Sequence, residues 1–222
     1  MSISAQRRAV ADAAKGFLPA EEADALREAA AGARAGLWLE IGTYCAKSTV
    51  HLGAVAEAVG AHLVTLDHHH GSEENQPGWE WHDPDLVDPH TGALETVLAA
   101  RHTLHAAGLE ATVSLLVAST QQVAPWWSSP LELLFLDGNH TEEVAQHDYA
   151  QFARHLTDGG LLLVHDVFPD PRDGGAPPWH VVQRATGSGD FIEVSVTGSL
   201  RVLQRRVPRA GLQVPETAGP LT

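Results

Sequence analysis

Two short stretches carry most of the chemistry this chain can offer. In LELLFLDGNHTEE (131–143) a six-residue apolar run delivers Asp137, and His140 follows three residues later. In LLLVHD (161–166) a second apolar run delivers His165 and Asp166. If these runs are adjacent parallel strands, Asp137 and the His165–Asp166 pair meet at one edge of a sheet. Two carboxylates and an imidazole there suit a divalent ion whose shell is completed by water and substrate oxygens. His140, at the start of the following helix, is then placed to act as a general base. The plainer alternatives are a turn aspartate in a D-G pair and a solvent-exposed histidine.

A third stretch, LWLEIGTYCAKST (37–49), has the order strand, glycine turn, helix start. It fails as a phosphate loop, because the two positions that need glycine are Ile41 and Ala46. It also fails as a dinucleotide fingerprint, since Gly42 is followed by Tyr44 and Lys47. A pyrophosphate has no bed here. Glu40 on the first strand and Asp67 after the second change the picture, because Asp67 is placed to accept hydrogen bonds from a ribose. The combination suits adenosine carrying an amino-acid tail. Glu40 read simply as a surface acid paired with an arginine is the bland alternative.

The elements that position these residues are legible from periodicity. Near-continuous apolar runs at Leu37–Ile41, His62–Leu66, Thr112–Val117, Leu131–Leu136 and Leu161–His165 predict buried parallel strands. Helices are expected over 46–59, 91–107 and 141–156, with a short turn at 120–126. The Asp158-Gly159-Gly160 triplet is expected to stop the helix over 141–156. Phe191–Val196, a Thr197-Gly198-Ser199 turn and Leu200–Gln204 predict a closing β-hairpin. The fold class is therefore α/β: a doubly wound, mostly parallel seven-stranded sheet ending in an antiparallel hairpin. Residues 1–35 hold two alanine-rich helices, 2–15 and 19–34, which cover an edge or form a homodimer contact. Residues 36–204 form the main domain, and 205–222 read as a loose tail. Long polar loops at 67–90 and 166–180 overhang the carboxyl edge of the sheet, where open α/β folds bind ligands.

Composition narrows the function classes. The 222 residues suit one domain with one core. With 28 acidic against 14 basic residues the formal net charge is -14, which argues against nucleic acid and anionic membranes as partners. No apolar run approaches a membrane span, and the N-terminus does not read as a signal peptide. The single cysteine, Cys45, excludes an internal disulfide framework and fits a reducing cytoplasm.

From Leu37 to Gln204 the chain resembles the class I S-adenosylmethionine-dependent methyltransferases, whose Rossmann-like fold ends in the same hairpin. The E-I-G-x-x-x-x-K-S-T loop and the D-G-N-H sequence resemble a subgroup of metal-dependent O-methyltransferases. That subgroup includes enzymes that methylate sugars in macrolides and in methylmannose polysaccharides. The resemblance implies a donor over Gly42, Thr43 and Tyr44, with its ribose toward Asp67 and His68. Its amino-acid end would lie near Glu40, Ser48 and Thr49, its adenine near Ser119 and Gln121, and Asp137 would close the donor site. It further implies Asp137, His165 and Asp166 as ligands of a divalent metal, Mg²⁺ by oxygen preference, and His140 as base. His165 departs from the pattern, which has an acid there.

On the acceptor side, Trp79, Trp81, Trp179 and Glu74 lie in the two long loops. Aromatic faces beside acids are a common grip for carbohydrate, so a sugar hydroxyl is expected ahead of a polyketide or phenolic one. The rival reading is a metal-dependent hydrolase built on the same Asp137, His140, His165 and Asp166 with no methyl donor. A binding module that kept the fold and lost the chemistry is a third.

Overall fold

The computed structural model describes residues 3–79, 81–170 and 172–206. The tail expected over 205–222 lies, from residue 207 on, outside the described residues. Seven strands form the middle layer: β1 (Leu37–Ile41), β2 (His62–Asp67), β3 (Val113–Val117), β4 (Leu131–Leu136), β5 (Leu156–Val164), β6 (Phe191–Thr197) and β7 (Leu200–Arg205). Their spatial order is β3-β2-β1-β4-β5-β7-β6. The first five are parallel, and β7 returns antiparallel between β5 and β6.

The chain winds outward from β1 to β3, then crosses back to lay β4 on the other side of β1. That reversal opens a crevice above the carboxyl ends of β1 and β4, the place where doubly wound sheets bind ligands. Period-two alternation sorts the strand side chains to the two faces. Trp38, Leu63, Leu133 and Phe135 pack on one side, and Leu39, Ile41, Leu134 and Leu136 on the other.

The first face is covered by α1 (Ala5–Ala13), α2 (Ala20–Ala31), α3 (Lys47–Val59) and α4 (Val97–Ala107). The N-terminal helices therefore cover a face of the sheet, not its edge. Arg7 ties α1 to its neighbours, donating to Ala107 O at 2.9 Å and pairing with Glu57 at 2.6 Å. The second face is covered by α5 (Thr120–Val123), α6 (Glu142–Phe152) and α7 (Pro177–Gly187).

Four expectations change. The helix expected from residue 91 starts at Val97, because 91–96 closes a loop in which Asp88 Oδ1 accepts from the backbone of His90 and Thr91. The helix expected to run to 156 ends at Phe152 and tightens into a 3₁₀ turn, Ala153–His155. Asp158-Gly159-Gly160 lies within β5, beside the register shift between Leu131 and Leu133, so the glycines mark an irregular strand instead of a helix stop. α7 was not expected at all. Its two leading prolines read as loop, yet proline at the first helical positions is compatible with helix because those N–H groups lack intrahelical partners.

Phe135 is fully buried in the face beneath α1–α4. Phe135→Ala should lower stability by about 3–5 kcal/mol, through lost burial plus a residual cavity. Chemical denaturation should show this as a lower midpoint at unchanged slope.

Candidate functional site

The loop after β1 is held from below and from the side by two acids. Glu40 is fully buried. The hydroxyls of Ser48, Thr49 and Thr65 each donate to it at 2.6 Å. Burial pushes its carboxyl up to about 7 despite those three donors. Glu40 and Thr49 thus lie under the loop and do not reach the cavity, contrary to the expected contact with the amino-acid end of a donor. Asp67, at the end of β2, works from the side. Its Oδ2 accepts the backbone N–H of Thr43 at 3.0 Å and of Tyr44 at 2.8 Å, and its Oδ1 accepts that of His69 at 2.7 Å. Gly42 is required by packing against β4: with φ +98, a Cβ there would sit 2.0 Å from Asp137 O.

Above this loop a cavity of about 790 Å³ fills the crevice between β1 and β4. Gly42, Thr43, Tyr44, Ser48, Asp67 and His68 line one side of it, and Ser119 and Gln121 line it from the start of α5. Asp137, His140, His165 and Asp166 line it as well, so the cavity joins the two groups of residues singled out in the sequence. Trp81 and Glu74 also line it. Trp79 and Trp179 do not: Trp79 stands in solvent, and Trp179 sits in the first turn of α7 against the core. Neither tryptophan lines the cavity: α7 turns Trp179 onto the core, and the loop after β2 leaves Trp79 exposed.

At the tips of β4 and β5, ligating atoms of Asp137, His140 and Asp166 lie within 4.8 Å of one another. His140 Nε2 is buried and, among the described residues, has no hydrogen-bond partner. The carboxylates of Asp137 and Asp166 fit a divalent cation, with the His140 imidazole beside them. The set differs from the expected one, in which His165 was a ligand. His165 is buried, and both of its ring nitrogens are taken: Nδ1 lies 2.8 Å from Asp137 Oδ1, and Nε2 lies 2.5 Å from Glu22 Oε2. Burial opposes its charge, but Asp137, Glu22 and Asp166 outweigh burial and push its pKa up to about 11. His165 is therefore an imidazolium ion clamped between carboxylates, with no lone pair for a metal.

His140 shows the same contest with a smaller result. Burial lowers its pKa, while the contact with Glu74 and the charges of Asp166, Glu74 and Asp137 leave it raised overall. Burial raises that of Asp166, whose backbone also carries a positive φ of 53.

Glu22 is the site residue that no sequence signal identified, beyond being an acid in the first turn of α2. Its Oε1 accepts the backbone N–H of Ser199 at 2.7 Å, in the turn between β6 and β7. Gly198 makes room: a Cβ there, at φ +55, would fall 2.1 Å from that oxygen. At the mouth, Phe17 from the segment between α1 and α2 meets Trp81 edge-on, with ring centroids 5.0 Å apart, and lies 6.0 Å from the Tyr44 ring. Lys15 ties the same segment to the loop after β2 through Asp83 at 2.5 Å and Asp85 at 3.2 Å.

Residues 39–167, more than half of the chain and including the end of β1, all of β4 and the tips of both β4 and β5, match the model of a family described as a methyltransferase domain. The chain belongs to that family. The hydrolase alternative falls with this match. Solved structures agree in fold with the methyltransferase. The O-methyltransferase NovP is similar with a TM-score of 0.64 at 15% identity, over 84% of this chain and 80% of that one. The O-methyltransferase TomG from Streptomyces achromogenes, solved with S-adenosylmethionine, gives 0.57 at 16% identity over 91% and 87%. The O-methyltransferase from Bacillus cereus, solved with S-adenosylhomocysteine, gives 0.54 at 18% identity over 90% and 88%. Among the described residues no helix is long and apolar enough to cross a membrane.

The placement of Glu40 makes a prediction about pH. Its folded pKa of about 7 stands above the ordinary 4.5, so folding is favoured by holding the proton. That contribution is complete below the unfolded pKa and is lost as pH rises through the folded one. The stability of the wild type relative to Glu40→Gln should therefore fall as pH rises from 4.5 through about 7. Denaturant midpoints of both proteins across this range would check it, and parallel curves would contradict it.

Proposed function

We propose that this methyltransferase moves a methyl group from S-adenosylmethionine to a hydroxyl of a small-molecule acceptor, a sugar or oligosaccharide, with His140 as general base. One observation carries the reading. A single cavity runs from the loop held by Asp67 to His140, whose Nε2 has no hydrogen-bond partner among the described residues, beside Asp137 and Asp166. The donor complexes of TomG and the Bacillus cereus enzyme support S-adenosylmethionine as the donor.

When bound, the donor supplies an electrophilic methyl group on a sulfonium, and a hydroxyl is a weak nucleophile toward it until its proton leaves. Asp137 and Asp166 would hold a divalent cation, magnesium by the oxygen-rich donor set, whose chemistry is to acidify and orient the acceptor hydroxyl. His140 takes the hydroxyl proton at Nε2, the nitrogen that has no hydrogen-bond partner among the described residues. Asp67 fixes the Thr43–Tyr44 backbone, so the donor side of the cavity is rigid before any ligand arrives. Held in line, oxygen and methyl group react without paying for orientation at the moment of transfer.

Of the three loop tryptophans, Trp81 is the one that serves the acceptor in this reading. With Phe17 and Tyr44 it forms an apolar lip on which the C–H face of a sugar ring would stack. Asp173 also lines the cavity and would accept from ring hydroxyls. The acidic lining disfavours acceptors that carry their own phosphate or carboxylate.

Calorimetric titration with S-adenosylhomocysteine should show micromolar binding that persists in EDTA. Absence of binding in both conditions would overturn the donor assignment. His140→Ala should bind S-adenosylhomocysteine within about twofold of wild type while losing at least about 100-fold in methyl transfer. Full turnover by that variant would remove His140 from the chemistry.

A further inference from the structure

The base assigned above is held by a residue from a different loop. His140 Nδ1 lies 3.1 Å from Glu74 Oε1. On its other side, Nε2 lies 3.3 Å from Asp166 Oδ2 yet makes no hydrogen bond among the described residues. Glu74 belongs to the 3₁₀ turn Glu73–Asn75 in the segment after β2. Its carboxylate was expected at the acceptor, and it lines the cavity, but its nearest polar partner is the imidazole.

The turn that carries Glu74 is braced. The Ser72 hydroxyl donates to Glu74 Oε1 at 3.2 Å and to Asn75 Oδ1 at 3.0 Å. The Gln76 side-chain amide donates to His70 O at 3.0 Å and to Ser72 O at 3.1 Å. Glu74 is thus presented by a fixed backbone, not by a free loop tip.

An ionised carboxylate only accepts, so the ring nitrogen facing Glu74 is the one that carries a proton. His140 Nε2, buried and without a hydrogen-bond partner among the described residues, then keeps its lone pair, on a side chain that lines the cavity. We propose that Glu74 is a positioning residue for the methyl transfer, selecting the Nδ1–H tautomer of His140 and fixing the ring so that Nε2 meets the acceptor hydroxyl. Neutral histidine left to itself favours the Nε2–H form, which would present a proton where a lone pair is needed. A carboxylate behind the imidazole is the general physical remedy. In the transfer, the acceptor O–H bond breaks, the proton joins Nε2, and the electron pair left on oxygen takes the methyl group. The imidazolium so formed keeps its Nδ1–H on the Glu74 carboxylate, which lowers the cost of the new charge. Trp81 stands in the same loop. One segment therefore builds the acceptor wall and sets the state of the base.

This inference rests on His140 serving as the base, but its first test does not. Full-length protein labelled with ¹⁵N-histidine would be saturated with S-adenosylhomocysteine in EDTA at about pH 9, where neutral imidazole dominates. Long-range ¹H–¹⁵N spectra report which ring nitrogen holds the proton, and His140→Gln identifies the resonance. The wild type should carry it on Nδ1. Glu74→Ala, and Glu74→Met, which keeps the length of the side chain without an acceptor, should move it to Nε2. Either variant should lose about 10–100-fold in kcat with the KM for the donor unchanged. A wild type protonated on Nε2 would overturn the proposal, as would either folded variant retaining the Nδ1–H form. If His140→Ala kept full turnover while the tautomer shifted as described, the base assignment would fail and the contact would stand as structural.

Discussion

The imidazolium of His165 holds carboxylates from distant parts of the chain, with Glu22 at 2.5 Å and Asp137 at 2.8 Å. A buried charge is tolerated only when it is paired and hydrogen-bonded. Both ring nitrogens are paired here, and Glu22 spends its other oxygen on the backbone of Ser199. α2, the tips of β4 and β5 and the β6–β7 turn must therefore meet at one point. Removing either carboxylate would leave one buried ring N–H of His165 without its partner, at a cost of about 1–3 kcal/mol. The helices before β1 are for this reason part of the body that shapes the site. The clamp also separates the two histidines: His165 is engaged by carboxylates at both ring nitrogens, whereas His140 Nε2 has no hydrogen-bond partner among the described residues.

The other acids of the crevice divide the work in a similar way. Glu40 and Asp67 were both expected to face a ligand, and both spend hydrogen bonds on the loop after β1. Glu40 ties the first turn of α3 to β1 and β2 through three hydroxyls, while Asp67 gathers three backbone N–H groups. Asp67 lines the cavity as well, so a ligand there meets a carboxylate whose position is already set. Preorganisation of this kind lowers the ordering cost of binding. The acidic lining fits the formal net charge of -14 and suits a cationic sulfonium donor better than an anionic acceptor.

Much of the site was legible as position, less as role. Asp137, His140, His165 and Asp166 follow apolar runs, and a residue at the end of a buried parallel strand lies at the carboxyl edge wherever the rest of the chain goes. That is why all four line one cavity as expected. Their division of labour was not legible, because it depends on Glu22, which is 143 residues from His165 in sequence. Glu74 was legible as a residue of a functional loop, though not as the neighbour of His140. Trp79 and Trp179 were misassigned for the opposite reason: composition marked them, while the backbone turned one to solvent and the other onto the core.

The sequence by itself determined the strands, the parallel-then-antiparallel order of the sheet and the edge on which polar residues collect. Those features follow from apolar periodicity and from turn residues, which act over a few neighbouring positions. Local reading failed where one signal served two structures, as with the prolines that open α7 and the glycines that lie within β5. Only the tertiary structure decided which carboxylates face the cavity, which support a loop, and which histidine is charged. Those outcomes depend on burial and on hydrogen-bond partners brought from distant segments, and neither is written into the local pattern of residues.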